Sequence, residues 1–321
     1  MGKGLKFLGN YMKLSHHVLH LALISISINI FANNKVVYGV DNRFEVINSP
    51  YSSYSRSIAA MINVSTHNSY QYGDDTVYSG FSDLKSYRGF PTCSDMKFRE
   101  QTSAAKCTGF LVKKDILITA GHCVVKYGQR IYNSSNSKCS SYKWVFDYTS
   151  ENSGSGSLLV NKNNISTCQE IIHAQYDSEL DYAIIRLNPN NSRVPLKMNL
   201  DGDTDNKNQR VMIIGHPTGL PMKVSAGASI TSSTANTFTS NLDSFAGNSG
   251  SPVFDSYGHV IGILNSGEID YFYNAKYGCY EVNVCDKVNG KCKKSSYGNN
   301  ALGERSTKLS AIKYKLRTYL K

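Results

Sequence analysis

The stretch Asp243-Ser-Phe-Ala-Gly-Asn-Ser-Gly-Ser-Pro-Val-Phe254 places one serine, Ser249, in a glycine-bracketed turn at the mouth of an apolar strand. A free serine hydroxyl barely ionises near neutral pH. Acyl transfer at Ser249 therefore requires a base to take its proton and donors to hold the oxyanion that forms. Gly247 and Gly250 suit that demand, because glycine tolerates positive φ and close backbone approach. The amides of Gly247 and Ser249 are the candidate oxyanion donors. The simpler reading is a Ser/Gly turn entering a hairpin, with Ser-Pro-Val-Phe and His-Val-Ile-Gly-Ile flanking Asp-Ser-Tyr-Gly. The chemistry stands or falls on whether the chain also supplies a base and a carboxylate to orient it.

His122 is the candidate base. It lies in Thr119-Ala-Gly-His-Cys123, directly after an apolar strand, beside a cysteine that can be clamped to the neighbouring strand. A general base must stay within hydrogen-bond reach of its serine, and a disulfide limits how far its loop can drift. His216, in Gly-His-Pro-Thr-Gly, reads as a turn residue. Asp181, opening Asp-Tyr-Ala-Ile-Ile-Arg-Leu187, is the candidate orienting carboxylate, with Asp177 and Glu179 as neighbouring alternatives. The chain order is histidine, aspartate, serine. An esterase built on a nucleophile elbow needs Gly-x-Ser-x-Gly and a late histidine, and Asn248-Ser249-Gly250 with an early histidine departs from that pattern.

These side chains need strands to carry them. Cys107 to Val112, a Lys-Lys-Asp turn, and Ile116 to Ile118 read as a hairpin that brings Cys107 back beside Cys123. Further strands are expected at 57–64, 180–187 and 210–214, with two weaker ones between 224 and 238. Tyr142 to Phe146 reads as a surface hairpin between Ser/Asn-rich loops, anchored by Trp144. The helical spacing of Leu309, Ile312, Leu316 and Tyr319 predicts a helix over 306–320 behind an N-cap at Ser306. Asn188 to Pro195 is a natural linker, so 36–190 and 191–321 are the expected lobes. The 22 tyrosines, 25 glycines and recurring Asn/Ser punctuation favour an all-β chain of short strands.

Residues 1–32 read as an export signal, basic at its start and apolar from Val18 to Ala32, with 33–35 as a short propeptide. The apolar run falls short of the roughly 20 residues that span a bilayer, so no membrane span is expected once the leader is removed. The eight cysteines all follow it, and none forms a Cys-x-x-Cys pair. Export and an even count favour disulfides over a metal site, and no cofactor is implied. Cys139 with Cys168 and Cys285 with Cys292 are pairings suggested by proximity, which leaves Cys93 with Cys279. The net charge is +11. The basic residues are scattered, without the basic helix or Arg/aromatic alternation of a nucleic-acid binder, so they act as a surface property.

Taken together, Cys-Thr-Gly-Phe-Leu-Val, Thr-Ala-Gly-His-Cys, Asp-Tyr-Ala-Ile-Ile-Arg-Leu and Gly-Asn-Ser-Gly-Ser-Pro-Val-Phe resemble the chymotrypsin-fold serine proteases, most closely the bacterial glutamyl-endopeptidase-like branch. The resemblance implies two six-stranded antiparallel β-barrels with the active-site cleft between them and a C-terminal α-helix. It also implies a monomeric secreted endopeptidase, extracellular or periplasmic, acting on proteins or peptides through His122, Asp181 and Ser249. It supports the Cys107–Cys123 bond and suggests a zymogen whose working form opens at Val36. Asp243, Ser244 and the strand bearing Leu264, Asn265, Ser266 and Gly267 are expected to border the specificity pocket. Asp243 could select basic side chains or serve as a framework turn. Two departures stand out: Asn248 replaces the aspartate that pairs with the new N-terminus in digestive members, and Leu264 replaces the histidine that reads acidic side chains in glutamyl endopeptidases. The alternative reading is a catalytically silent adhesin or envelope-binding module on the same fold.

Overall fold

The barrel strands of this chain bury much of their length, Ile58–Ile62 and Ile116–Thr119 all of it, because both faces are covered there. In a computed structural model, which describes residues 36–188, 193–201, 204, 206–286, 291–293 and 303–320, twelve such strands are labelled in chain order. The first six are β1 Ile58–Ile62, β2 Cys107–Lys113, β3 Ile116–Thr119, β4 Lys143–Phe146, β5 Ile165–Tyr176 and β6 Asp181–Leu187. They pair antiparallel as β4-β1-β2-β3-β6-β5, and β5 returns to β4, closing a barrel. The other six are β7 Arg210–Gly215, β8 Lys223–Ser233, β9 Thr237–Ser240, β10 Pro252–Phe254, β11 Val260–Ser266 and β12 Glu304–Lys308. Their order, β7-β10-β11-β12-β9-β8 and back to β7, closes a second antiparallel barrel. Closure removes the exposed edges of each sheet.

Alternation along each strand divides its side chains between two cores. Leu117 fills the first barrel with Trp144, Phe146 and Ile185, whereas its neighbours Ile116 and Ile118 face outward into the core shared by the two barrels. In the second barrel Val211 and Ile213 point inward with Phe238 and Leu264, and Met212 and Ile214 join the shared core. Glycine makes room at the tightest points. A Cβ on Gly109 would lie 2.7 Å from the Trp144 ring, and one on Gly262 would lie 2.6 Å from Phe238.

Two expectations about elements are corrected. The segment 142–146 is not a surface hairpin; it is β4, held between β1 and β5, with Trp144 buried in the barrel interior. The Ser/Asn-rich flanks obscured a strand that the barrel needs for closure. Ser306 does not cap a helix either, because it lies inside β12, which is hydrogen-bonded to both β9 and β11. The helix α1 is Lys313–Leu320, entered through a short turn at Ser310–Ile312. Its apolar stripe survives the shift: Leu309, Ile312 and Leu316 are buried in the shared core.

Four disulfides join Cys93 to Cys279, Cys107 to Cys123, Cys139 to Cys168 and Cys285 to Cys292. Among the described residues no helix is long and apolar enough to cross a membrane. The expected leader 1–32, the segment 33–35 and the lobe boundary at 190/191 lie outside the described residues.

Candidate active site

His122 owes its position to a close approach that only glycine allows. β3 ends at Thr119, and the turn Gly121–Cys123 passes so near β5 and β6 that a Cβ on Gly121 would lie 2.2 Å from the Gln175 carbonyl oxygen. The turn meets the first residue of β6. The Asp181 carboxylate accepts the His122 backbone N–H at 3.0 Å and faces His122 Nδ1 at 2.7 Å. Because the carboxylate oxygen accepts, the proton sits on Nδ1, and Nε2 keeps its lone pair for a partner on the other side. The Cys107–Cys123 disulfide ties this turn to the start of β2.

Ser249 comes from the second barrel, and its turn is fastened to the first. Gly247 and Gly250 have φ of 94° and 88°, a region that side chains with a Cβ rarely adopt. Space is short as well, since a Cβ on Gly250 would lie 2.1 Å from the Thr108 carbonyl oxygen and one on Gly247 would lie 2.4 Å from that of His216. Thr108 then sutures the two barrels: its N–H donates to the Ser249 carbonyl at 2.8 Å and its hydroxyl to the Gly247 carbonyl at 2.9 Å. Thr119 donates in turn to the Thr108 carbonyl at 2.7 Å. His122 and Ser249 line the same cavity, of about 230 Å³.

Asn265 links the serine to the aspartate. Its carbonyl accepts the Ser249 hydroxyl at 3.3 Å, and its side-chain amide donates to the Asp181 carbonyl at 2.7 Å. Its side-chain oxygen accepts the Thr307 N–H at 2.7 Å. Thr108, Thr119 and Thr307 escaped the sequence reading. For Thr108 and Thr119 the signal available was a threonine at a core position of an otherwise apolar strand, where a buried hydroxyl must find a partner; Thr307, in the polar strand Glu304–Lys308, carried no such signal.

The residues expected at the specificity pocket separate into different roles. Asp243 is 1% exposed, and its two carboxylate oxygens accept the backbone N–H groups of Tyr38 at 2.7 Å and Asn42 at 3.0 Å. Burial pushes its carboxyl up to about 6. Both oxygens are thus engaged by the N-terminal segment. Leu264 is buried among Phe238, Leu242 and Val253 in the barrel core. Ser244, also buried, donates from its hydroxyl to Glu304 and from its N–H to the Val36 carbonyl at 3.0 Å. Gly267 packs on the same Glu304, where a Cβ would lie 2.2 Å from a carboxylate oxygen, and Ser266 continues β11 beside it. Glu304 was not singled out in the sequence. It is fully buried and also accepts the Val36 backbone N–H at 3.3 Å.

His216, read as a turn residue, opens the Pro217–Gly219 turn and is fully buried. It stacks on Tyr148, its Nδ1 bonds the Leu220 carbonyl at 3.0 Å, and burial pushes its imidazole down to about 3. It therefore stays neutral and is no rival base. The ring of His122 and the sulfurs of Cys107 and Cys123 also cluster. The disulfide consumes both thiols, which leaves no thiolate to hold a metal.

Two closed six-stranded antiparallel barrels with a C-terminal helix define a chymotrypsin-like fold. Residues 107–263 match the family model of the trypsin-like peptidase domain. No curated protein matches the chain by sequence. Among solved structures, a Glu endopeptidase in complex with MPD is 18% identical with a TM-score of 0.45, covering 88% of this chain and 98% of its own. The VesB protease of Vibrio cholerae is 13% identical with a TM-score of 0.46, covering 89% of this chain and 68% of its own.

Proposed function

We propose that this protein is a secreted serine endopeptidase that cleaves peptide bonds through an acyl-enzyme on Ser249. The observation that carries the reading is the 2.7 Å bond from His122 to Asp181 on a histidine that shares one cavity with Ser249. His122 Nε2 takes the serine proton as Oγ attacks the substrate carbonyl carbon. The oxyanion is held by the amides of Gly247 and Ser249, and the imidazolium is stabilised by Asp181. His122 then gives the proton to the leaving amine as the C–N bond breaks, and water attacks the ester by the same route in reverse. Four disulfides suit an oxidising compartment, which supports export. The lobes 36–190 and 191–321 supply His122 with Asp181 and Ser249, respectively.

In this reading the working form begins at Val36, released by cleavage after Lys35. Support comes from the setting of Val36, which is fully buried with its nitrogen 3.3 Å from Glu304. A new ammonium there would face a buried carboxylate, while Asp243 is already engaged by Tyr38 and Asn42. The reading is tested by treating the purified secreted protein with a fluorophosphonate probe and sequencing its N-terminus. Label on the Ser249 peptide of a chain starting at Val36 is expected. A folded protein that takes no label supports the silent binding module, and full activity in a chain starting at Asn33 overturns the Val36 assignment.

A further inference from the structure

We infer that the leaving-group side of the cleft selects acidic side chains through Lys138 and Lys106. The inference rests on the serine-peptidase reading. The cavity next to His122 and Ser249 is walled by Met61, Tyr142, the Cys107–Cys123 disulfide and these two lysines. No residue of β11 lines it. β11 instead touches Ser249 through the Asn265 carbonyl and ends at Ser266. In this inference the acyl half of a substrate takes the β11 side of Ser249 and the departing half the lysine-lined cavity, which His122 borders and where it would deliver its proton.

The charge there has one sign. No aspartate or glutamate lines the cavity, and neither lysine has a carboxylate partner among the described residues. Asp181 lies behind the imidazole and is engaged by His122 through both oxygens. Lys138 is half-buried and already placed. Its ammonium donates to the His122 carbonyl at 3.1 Å, which leaves two N–H donors for a ligand. The segment that carries it is pinned by the Cys139–Cys168 disulfide and by Asn136, which accepts the Cys139 N–H at 3.0 Å and donates to the Val124 carbonyl at 2.7 Å. Burial and the nearby charge of Lys126 hold the Lys138 ammonium below its usual range, so a carboxylate arriving beside it relieves an existing strain on the charge. A lysine ordered in advance loses little freedom on binding.

The test is digestion of a randomised peptide library by the purified mature protein, with the new N-termini sequenced by mass spectrometry. Aspartate and glutamate are expected in excess over lysine and arginine by about fivefold at the first two positions after the cut, an excess that shrinks in high salt. The double variant Lys106→Glu,Lys138→Glu should reverse the preference. Lys106→Glu alone, at an exposed site, should weaken it even if the double variant fails to fold, and Lys138→Arg should retain it. An even distribution, or an acidic preference that survives charge reversal, overturns the inference, as does a protein that takes the fluorophosphonate label and cuts no peptide. Failure of both labelling and cutting strikes instead at the serine-peptidase reading.

Discussion

The polar residues of this cleft form two layers that treat the same side-chain types in opposite ways. In the layer proposed to react (the reacting layer), the His122 and Asp181 side chains are 7% and 12% exposed and face each other at the rim of the barrels. In the layer beneath, His216, Asp243 and Glu304 are cut off from solvent, and their partners are mostly backbone groups. A histidine at the rim can take a proton and return it, because a carboxylate is already in place to stabilise the charged ring. A histidine sealed against Tyr148 cannot, since desolvation favours its neutral form. Residue type therefore sets what a group can do, and its partners and its access to the cavity decide what it does, since Ser249 is as buried as Asp243 yet lines the cavity. Substitutions in the first layer should abolish rate and spare stability, and those in the second should do the reverse.

The largest expected effect is in the reacting layer. Ser249→Ala should lower kcat/KM on a peptide substrate by at least about 10⁴-fold, and Asp181→Asn should cost a similar factor by losing the Nδ1 proton acceptor. Both should shift the urea unfolding free energy by no more than about 1 kcal/mol. A folded Ser249→Ala protein with near-normal turnover would break the assignment of the whole layer.

The two layers were also unequally legible in the sequence. The reacting layer is written in short motifs, because a strand ending in Ala-Gly-His-Cys and a turn reading Gly-Asn-Ser-Gly each encode their own geometry, and the hairpin places Cys107 beside Cys123. The buried layer is written in contacts between distant positions. Val36 meets Glu304 across 268 residues and Tyr38 meets Asp243 across 205, so nothing local marks either carboxylate as an anchor. The same holds for β4 and β12, whose polar or Ser/Asn-rich surroundings carry no strand signal until neighbouring strands close each barrel around them. Segment 306–320 misled for a related reason: its helical stripe is real from Leu309 onward, and tertiary pairing overrides it at Ser306.

A second effect should appear in acid. The unfolded chain binds a proton at His216 near 6.5, whereas the folded protein binds it only near 3. Between those values the unfolded state holds more protons, so this residue makes stability fall as pH drops through the window, by on the order of 4 kcal/mol at its lower end. His216→Phe keeps a ring against Tyr148 and removes the titration. Urea unfolding at pH 7 and pH 4 should show a smaller acid loss in the variant than in the native protein, with a cost of roughly 1 kcal/mol at pH 7 for the unpartnered Leu220 carbonyl. Equal acid losses would show that His216 is not held neutral by burial.

A third effect separates framework from recognition at Asp243. Alanine there strands the Tyr38 and Asn42 amides, which should cost about 2 kcal/mol at neutral pH. Burial raises this carboxyl to about 6, above its unfolded value of 3.8, so between those values the folded state holds more protons and the contribution of Asp243 to stability falls as pH rises. The destabilisation by Asp243→Ala should therefore be largest near pH 4 and shrink as pH climbs through 6, as unfolding curves at the two pH values would show. Asp243→Asn, which retains one acceptor, should cost about half as much. Neither variant should change which side chains the library accepts on the acyl side of the cut. A selective loss of cleavage after lysine and arginine, without the change in stability, would move Asp243 from the buried layer into the reacting one and undo the division between them.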